Sequence, residues 1–258
     1  MGDVALVGVM HDPDGRLYRT MCGVLPRLLS LFAANYVVVS ASTRWEVTEE
    51  LTRLGIRTQR AEMPGVGAAR RQAVALARRG GHTAMLYCDL DRSLHWAQHY
   101  PVELAATRDS VGAVEFLVVG RTARAFATHP RVMTETEALA NHVFALAHGR
   151  VWDLCAAACG LSAQAADVVL RESRVVGFGT EAEWPVLALR HGLTAGYVAV
   201  EGMEYETPDR FPEEVVAAGG LAAWTEVQSL APANWVQRLG LALDIARGCQ
   251  PPPSGNSP

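Results

Sequence analysis

Two carboxylates separated by one residue, Asp89-Leu90-Asp91, follow directly on the apolar stretch Thr83 to Cys88 (TAMLYC). A strand that ends in such a pair can aim both side chains at one hard cation. Magnesium or manganese prefers oxygen ligands and keeps positions free for water and phosphate oxygens. One helix upstream, Gly65-Val66-Gly67-Ala68-Ala69-Arg70-Arg71 places a glycine turn at a helix start, with arginines in the first turns. Free amides, the helix dipole and the planar arginine fork favour an anion there. Asp12, in the turn His11-Asp12-Pro13-Asp14-Gly15, falls after another apolar run. The ordinary readings of the same residues are loop acids and a simple helix start, so position has to separate the two.

Further along, Gly177-Phe178-Gly179-Thr180-Glu181-Ala182-Glu183-Trp184 puts two acids at the start of a helix. The dipole favours them there in any protein, while the functional reading makes Glu181 or Glu183 a general base or an acceptor-binding carboxylate. Arg121 and Arg124, with Arg131 nearby, form a group suited to a phosphate or carboxylate on an acceptor. The eight histidines are read as showing no metal-ligand spacing. Cys155 and Cys159, one helical turn apart, lack a second pair and read as structural. Trp184, Trp224 and Trp235 read as packing residues.

Composition removes several classes. All 23 basic residues are arginine. Without lysine there is no Schiff-base or pyridoxal chemistry and no Walker-type phosphate loop. A net charge of −4 argues against non-specific nucleic-acid binding, which needs a basic face. Five cysteines, an odd number in a long chain, do not make a disulfide framework. Met1-Gly2-Asp3 lacks a basic region followed by an apolar run, and no segment is apolar enough to span a bilayer, so a cytoplasmic protein is expected.

The elements that must position these residues alternate. Val4–Met10 and Tyr36–Ser40 are continuous apolar runs, the pattern of strands buried on both faces. Between them a helix reaches about Ala34, with Pro26 as an expected kink. A helix over Trp45–Leu54, a short strand over Ile56–Arg60, the Ala-rich helix to Arg79 and the strand before Asp89 follow. Such alternation predicts an α/β fold with a doubly wound, mostly parallel sheet, whose ligands collect outside the carboxyl ends of the strands. Val111–Val119 predicts another strand, with helices over Glu135–His148, Ser162–Arg171 and Glu181–His191 and a last strand over Ala195–Val200. Phe211–Arg247 reads as a C-terminal helical cap and 251–258 as a disordered tail. The expected division is a catalytic domain over 1–206 (donor half 1–110, acceptor half 111–206), the cap over 207–250 and the tail.

Gly65 to Asp91 (GVGAARRQAVALARRGGHTAMLYCDLD) resembles the glycine-turn, helix, strand and Asp-x-Asp block of the family-2 glycosyltransferases and their relatives of the GT-A fold. That resemblance implies a transferase using a nucleotide-diphospho-sugar, a small, anionic, soluble acceptor, and Mn2+ or Mg2+. It implies that Asp89 faces the donor ribose and metal, that Asp91 binds the metal, and that Asp12, Gly65, Gly67 and Arg70 lie on the donor side. The 177–183 segment is similar to that of the glucosyl- and mannosyl-phosphoglycerate synthases, where a glycine-aromatic-glycine turn leads to a glutamate. In those enzymes a histidine after the final strand completes the metal shell. Glu201-Gly202-Met203-Glu204-Tyr205-Glu206 has none, so Glu204 or Glu206 is the expected replacement. Ser40 and Ser42 stand where an acid often reads the nucleobase, and Ala182 where inverting members carry Asp. No nucleic-acid partner is expected, and a homodimer is compatible. The competing readings are a haloacid-dehalogenase-like phosphatase, a sugar-nucleotide nucleotidyltransferase, and a non-catalytic sugar-nucleotide binder.

Overall fold

In the computed structural model, which describes residues 4–250, one sheet runs through the molecule. Its elements in chain order are β1 (Val4–Met10), α1 (Tyr18–Ser30), β2 (Ala34–Val39), α2 (Trp45–Arg53), β3 (Arg57–Arg60), α3 (Val66–Arg79) and β4 (Ala84–Cys88). Then come α4 (Leu90–His99), α5 (Pro101–Ser110), β5 (Phe116–Arg121), α6 (Ala123–Ala127), α7 (Arg131–His148) and β6 (Ala158–Ser162). The chain continues through α8 (Ala163–Glu172), α9 (Thr180–Arg190), β7 (Ala195–Val200), a 3-10 helix (Thr207–Arg210), α10 (Pro212–Ala217), α11 (Leu221–Leu230) and α12 (Pro232–Gly248).

The 7 strands are ordered β3-β2-β1-β4-β6-β5-β7. Only β6 runs antiparallel to its neighbours, β4 and β5. The apolar runs are continuous because successive residues feed opposite faces. Ala5, Val7, Tyr36, Val38, Met85 and Tyr87 join the core under α3, α8 and α9. Leu6, Val37, Val39, Leu86 and Cys88 join the core on the other face, with α1 and α4.

Several expected boundaries moved. The strand expected over Val111–Val119 is β5 at Phe116–Arg121, because Gly112 adopts φ 101° and turns the chain after α5. β6 was not anticipated: Cys159, Gly160 and their neighbours are small and carry no period-2 signal, and tertiary pairing extends them. Cys155 and Cys159 therefore do not share a helix; both are buried free thiols. The helices α4 and α5 fill 90–110, a stretch with no clear element signal in the sequence. α1 continues through Pro26 to Ser30. The expected tail, 251–258, and Met1–Asp3 lie outside the described residues.

The C-terminal helices do not all lie on the surface. Ala242, Ile245 and Cys249 of the α12 region are buried in the same core as Trp184 and Leu187. Asp244 Oδ2 accepts the Gly179 N–H at 3.0 Å, tying α12 to the turn before α9. A Cβ on Gly248 would stand 2.3 Å from the Gly179 carbonyl oxygen, so the two backbones touch.

Candidate functional site

Asp89 leaves the carboxyl end of β4 and is the N-cap residue of α4, so Asp91 falls in that helix's first turn. Asp89 Oδ1 accepts the hydroxyl of Tyr87, two residues earlier on the same side of the strand. Burial, reinforced by Asp89, pushes the Tyr87 phenol well above its ordinary pKa, so it keeps its proton and donates. Asp89 Oδ2 faces Arg70 Nη2 at 3.3 Å, and the same nitrogen lies 3.1 Å from Glu181 Oε1. Arg70 also donates to Thr180 Oγ1 at 3.2 Å.

Arg70 is 2 % exposed, and its guanidinium is the cation that keeps two acids, from β4 and α9, within one site. Removing a single partner from such a buried group costs about 3–5 kcal/mol, because a charge is left uncompensated. Burial pushes the Glu181 carboxyl up to about 7, with Arg70 pulling the other way. A carboxyl held near neutrality can give or take a proton under ordinary conditions.

The glycines of the α3 turn explain how Arg70 gets there. Gly65 has φ 100°, and a Cβ on it would meet the Val176 carbonyl oxygen at 2.3 Å. A Cβ on Gly67 would meet the carbonyl oxygens of Val175 and Gly177 at 2.6 and 2.7 Å. The Gly67 N–H donates to Val176 O at 2.8 Å, so part of the helix N-terminus is satisfied by this loop. In this structure both glycines serve close docking of α3 on the 175–180 segment.

Asp91 Oδ1 accepts the Arg92 N–H at 2.9 Å, and Oδ2 forms an ion pair with Arg210 of the 3-10 helix. The Arg210 guanidinium also lies within electrostatic reach of Asp12 and Asp89. An arginine thus brings positive charge to the acids at the ends of β1 and β4. Asp12 is buried and braces the turn after β1, accepting from the N–H groups of Arg16 and Leu17 at 2.9 and 3.0 Å.

The other predicted residues occupy neighbouring networks. Glu183 turns to the loop before α9, accepting the Ser173 hydroxyl and the Arg174 N–H, the latter at 2.9 Å. Arg121 is buried between Asp153 and Glu137, each at 2.7 Å, with Nη1 unpartnered. Arg92 Nη1 and His129 Nε2 are likewise buried without a hydrogen-bond partner. Arg124 is half exposed and pairs with Glu201 and Glu204, the latter at 2.8 Å, and with the Tyr100 hydroxyl at 2.9 Å. Against the upward push of burial, Arg124 and His95 hold Glu204 below the usual carboxylate range. Glu206 lies 3.6 Å from Arg92. Among the described residues, neither Glu204 nor Glu206 joins Asp89 and Asp91 in a group of three metal-capable side chains.

Sequence reasoning missed Arg210, which no local pattern announces. It also missed His95 and His99, whose i, i+4 spacing on α4 is a ligand spacing after all. With Asp209 they form a cluster whose donor atoms lie within 4.8 Å of one another.

No family profile and no curated protein matches this sequence. Solved structures do match by shape. A mycobacterial protein superposes with a TM-score of 0.53 at 17% identity, covering 76% of this chain and 64% of that one. This chain therefore spans somewhat less than two thirds of that protein's length. Glucosyl-3-phosphoglycerate synthase from Mycobacterium tuberculosis, in complex with Mn2+, UDP and phosphoglyceric acid, gives 0.52 at 14% identity, over 86% of this chain and 78% of that one. Another structure of that synthase gives 0.51 at 15% identity, over 92% and 80% of the two chains. Together with the strand order and the acids at the end of β4, these likenesses show that the chain has the GT-A glycosyltransferase fold.

Proposed function

We propose that this protein transfers a sugar from a nucleotide-diphospho-sugar to a small, anionic acceptor, with Mn2+ or Mg2+ at Asp89 and Asp91. The observation that carries the reading is the linked set Asp89–Arg70–Glu181 at the carboxyl end of the sheet of a GT-A fold. The solved neighbours in complex with UDP-glucose, Mn2+ and phosphoglyceric acid support the donor and acceptor classes.

The acids suit the cation, since Asp91 already binds a positive group, the Arg210 guanidinium. When bound, the metal would neutralise charge on the departing diphosphate. In this reading Glu181 takes the proton of the acceptor hydroxyl as that oxygen bonds to the anomeric carbon. The bond from that carbon to the diphosphate breaks, and its electron pair leaves with the phosphate oxygen. Arg70 holds Glu181 in place and supplies positive charge on the donor side. Asp12, Gly65 and Gly67 shape the donor wall. Arg121, with its free Nη1, supports an anionic acceptor group, and Arg124 lies at the rim. Glu183 positions the loop before Glu181. The reading also accommodates a homodimer and a cytoplasmic enzyme; among the described residues no helix is long and apolar enough to cross a membrane.

The test is a thermal-shift screen of UDP-, GDP- and ADP-sugars with and without Mn2+. A ligand that binds the folded state stabilises it by RT ln(1 + [L]/Kd) and so raises Tm. One nucleotide should raise Tm only with Mn2+, and Asp91→Ala should abolish the rise while keeping a cooperative transition. Equal donor binding by Asp91→Ala would overturn the assignment.

A further inference from the structure

We propose that His95, His99 and Asp209 form a second cation site, selective for transition metals of the zinc class and separate from the Asp89–Asp91 pair. His95 and His99 lie at i and i+4 on α4 and so share one face of the helix. Their ring centroids are 4.5 Å apart. The 3-10 helix lays Asp209 against them, with Oδ2 at 2.8 Å from His95 Nδ1. A nitrogen of each ring and a carboxylate oxygen already lie within 4.8 Å of one another. A tetrahedral ion with ligands at about 2.0–2.2 Å would hold them roughly 3.3–3.5 Å apart. Side-chain rotation makes the adjustment: the 2.8 Å contact between His95 and Asp209 opens by about half an ångström, and His99, which is exposed and able to swing, draws in.

The donor set decides the metal. Two imidazoles and one carboxylate suit Zn2+, Ni2+ or Co2+, whereas Mg2+ and Mn2+ prefer all-oxygen surroundings such as the aspartate pair. His95 also has an outer partner: Nε2 lies 3.3 Å from Glu204, which Arg124 holds at 2.8 Å. A carboxylate on the far nitrogen of a histidine ligand is the usual device for fixing its ring. Access is open, since His99 is exposed and Asp209 lines an adjoining surface cleft of about 820 Å3. Because Asp209 precedes Arg210, a metal here would clamp the 3-10 helix on α4 with Arg210 resting on Asp91. The site stands independently of the transfer reaction.

The alternative is a cluster held by hydrogen bonds alone. Co2+ titration of the untagged full chain, read by its visible d–d absorption, separates the two. Wild type should give saturable bands. His99→Ala, at an exposed position, should weaken Co2+ binding about tenfold or more with its circular dichroism unchanged, and Asp91→Ala should keep the saturable bands. The site is rejected if wild type gives no saturable bands, if His99→Ala titrates like wild type, or if Asp91→Ala abolishes the bands.

Discussion

Glu181 shows most directly how environment shifts the acidity of a common residue. A glutamate in the first turn of a helix is unremarkable by sequence, but burial pushes this one up to about 7 although Arg70 lies 3.1 Å away. If the ionised form takes the acceptor proton, kcat/KM should rise with pH through about 7 and level off above it. Glu181→Gln should lower the rate by roughly a hundredfold and remove that limb. An unchanged profile in the variant would assign the proton to another group. Stability runs the other way. A carboxyl whose folded-state pKa is raised stabilises the fold below its unfolded value, and that contribution is lost as pH rises through about 7. Asp91 makes a second point at this scale, because its partner in the structure is an arginine. Arg210→Ala removes a competing charge and should tighten Mn2+ binding roughly fivefold, the equivalent of about 1 kcal/mol. Isothermal titration reads this, and unchanged or weaker binding would show that Arg210 does not compete with the ion.

At the scale of elements, the site exists because α3 and the 175–180 segment touch through backbone. Arg70 reaches Asp89 and Glu181 only if the first turn of α3 seats closely on that loop, and Gly67 permits this at an ordinary helical φ. Gly67→Ala would place a methyl against two carbonyl oxygens at 2.6 and 2.7 Å and against Thr180 Cγ2 at 2.8 Å. The expected cost is about 1–3 kcal/mol in urea unfolding, with donor binding weakened in step. A neutral effect would show that the loop gives way freely. Glu183 and Arg71 hold the same loop from its other end, through Ser173, Arg174 and Val175. One of the two acids before Trp184 thus faces the site and the other builds its wall, a division that their shared helix start does not disclose.

For the whole molecule, α12 acts as a buttress. It buries Ala242 and Ile245 in the core that contains Trp184, and Asp244 caps the turn before Glu181. Deleting 232–250 should therefore leave far-UV circular dichroism largely intact but remove near-UV signal and cooperative thermal unfolding, the signs of lost side-chain packing. A truncated chain that melts cooperatively would show that the sheet domain is self-sufficient. The two core layers, on opposite faces of one sheet, explain why the central strands β1 and β4 are nearly continuous apolar runs, while the edge strand β3, Arg57–Arg60, is polar.

Much of this was legible in the residues alone. Unbroken apolar runs, helix periodicity between them and an Asp-x-Asp pair after a strand depend on short-range spacing. They were enough for the α/β class, the mostly parallel sheet and the location of the acids after a strand. The absence of lysine by itself excludes whole mechanisms. Tertiary structure decided the rest, because those contacts join residues far apart in the chain. Arg70 meets Glu181 across 111 positions, and Arg210 reaches Asp91 only when the 3-10 helix folds back on α4. The weak strand β6 forms because β4 and β5 supply its hydrogen bonds. Whether an acid becomes a site carboxylate or a loop brace is set by the partners that burial brings to it, and no local pattern encodes those partners.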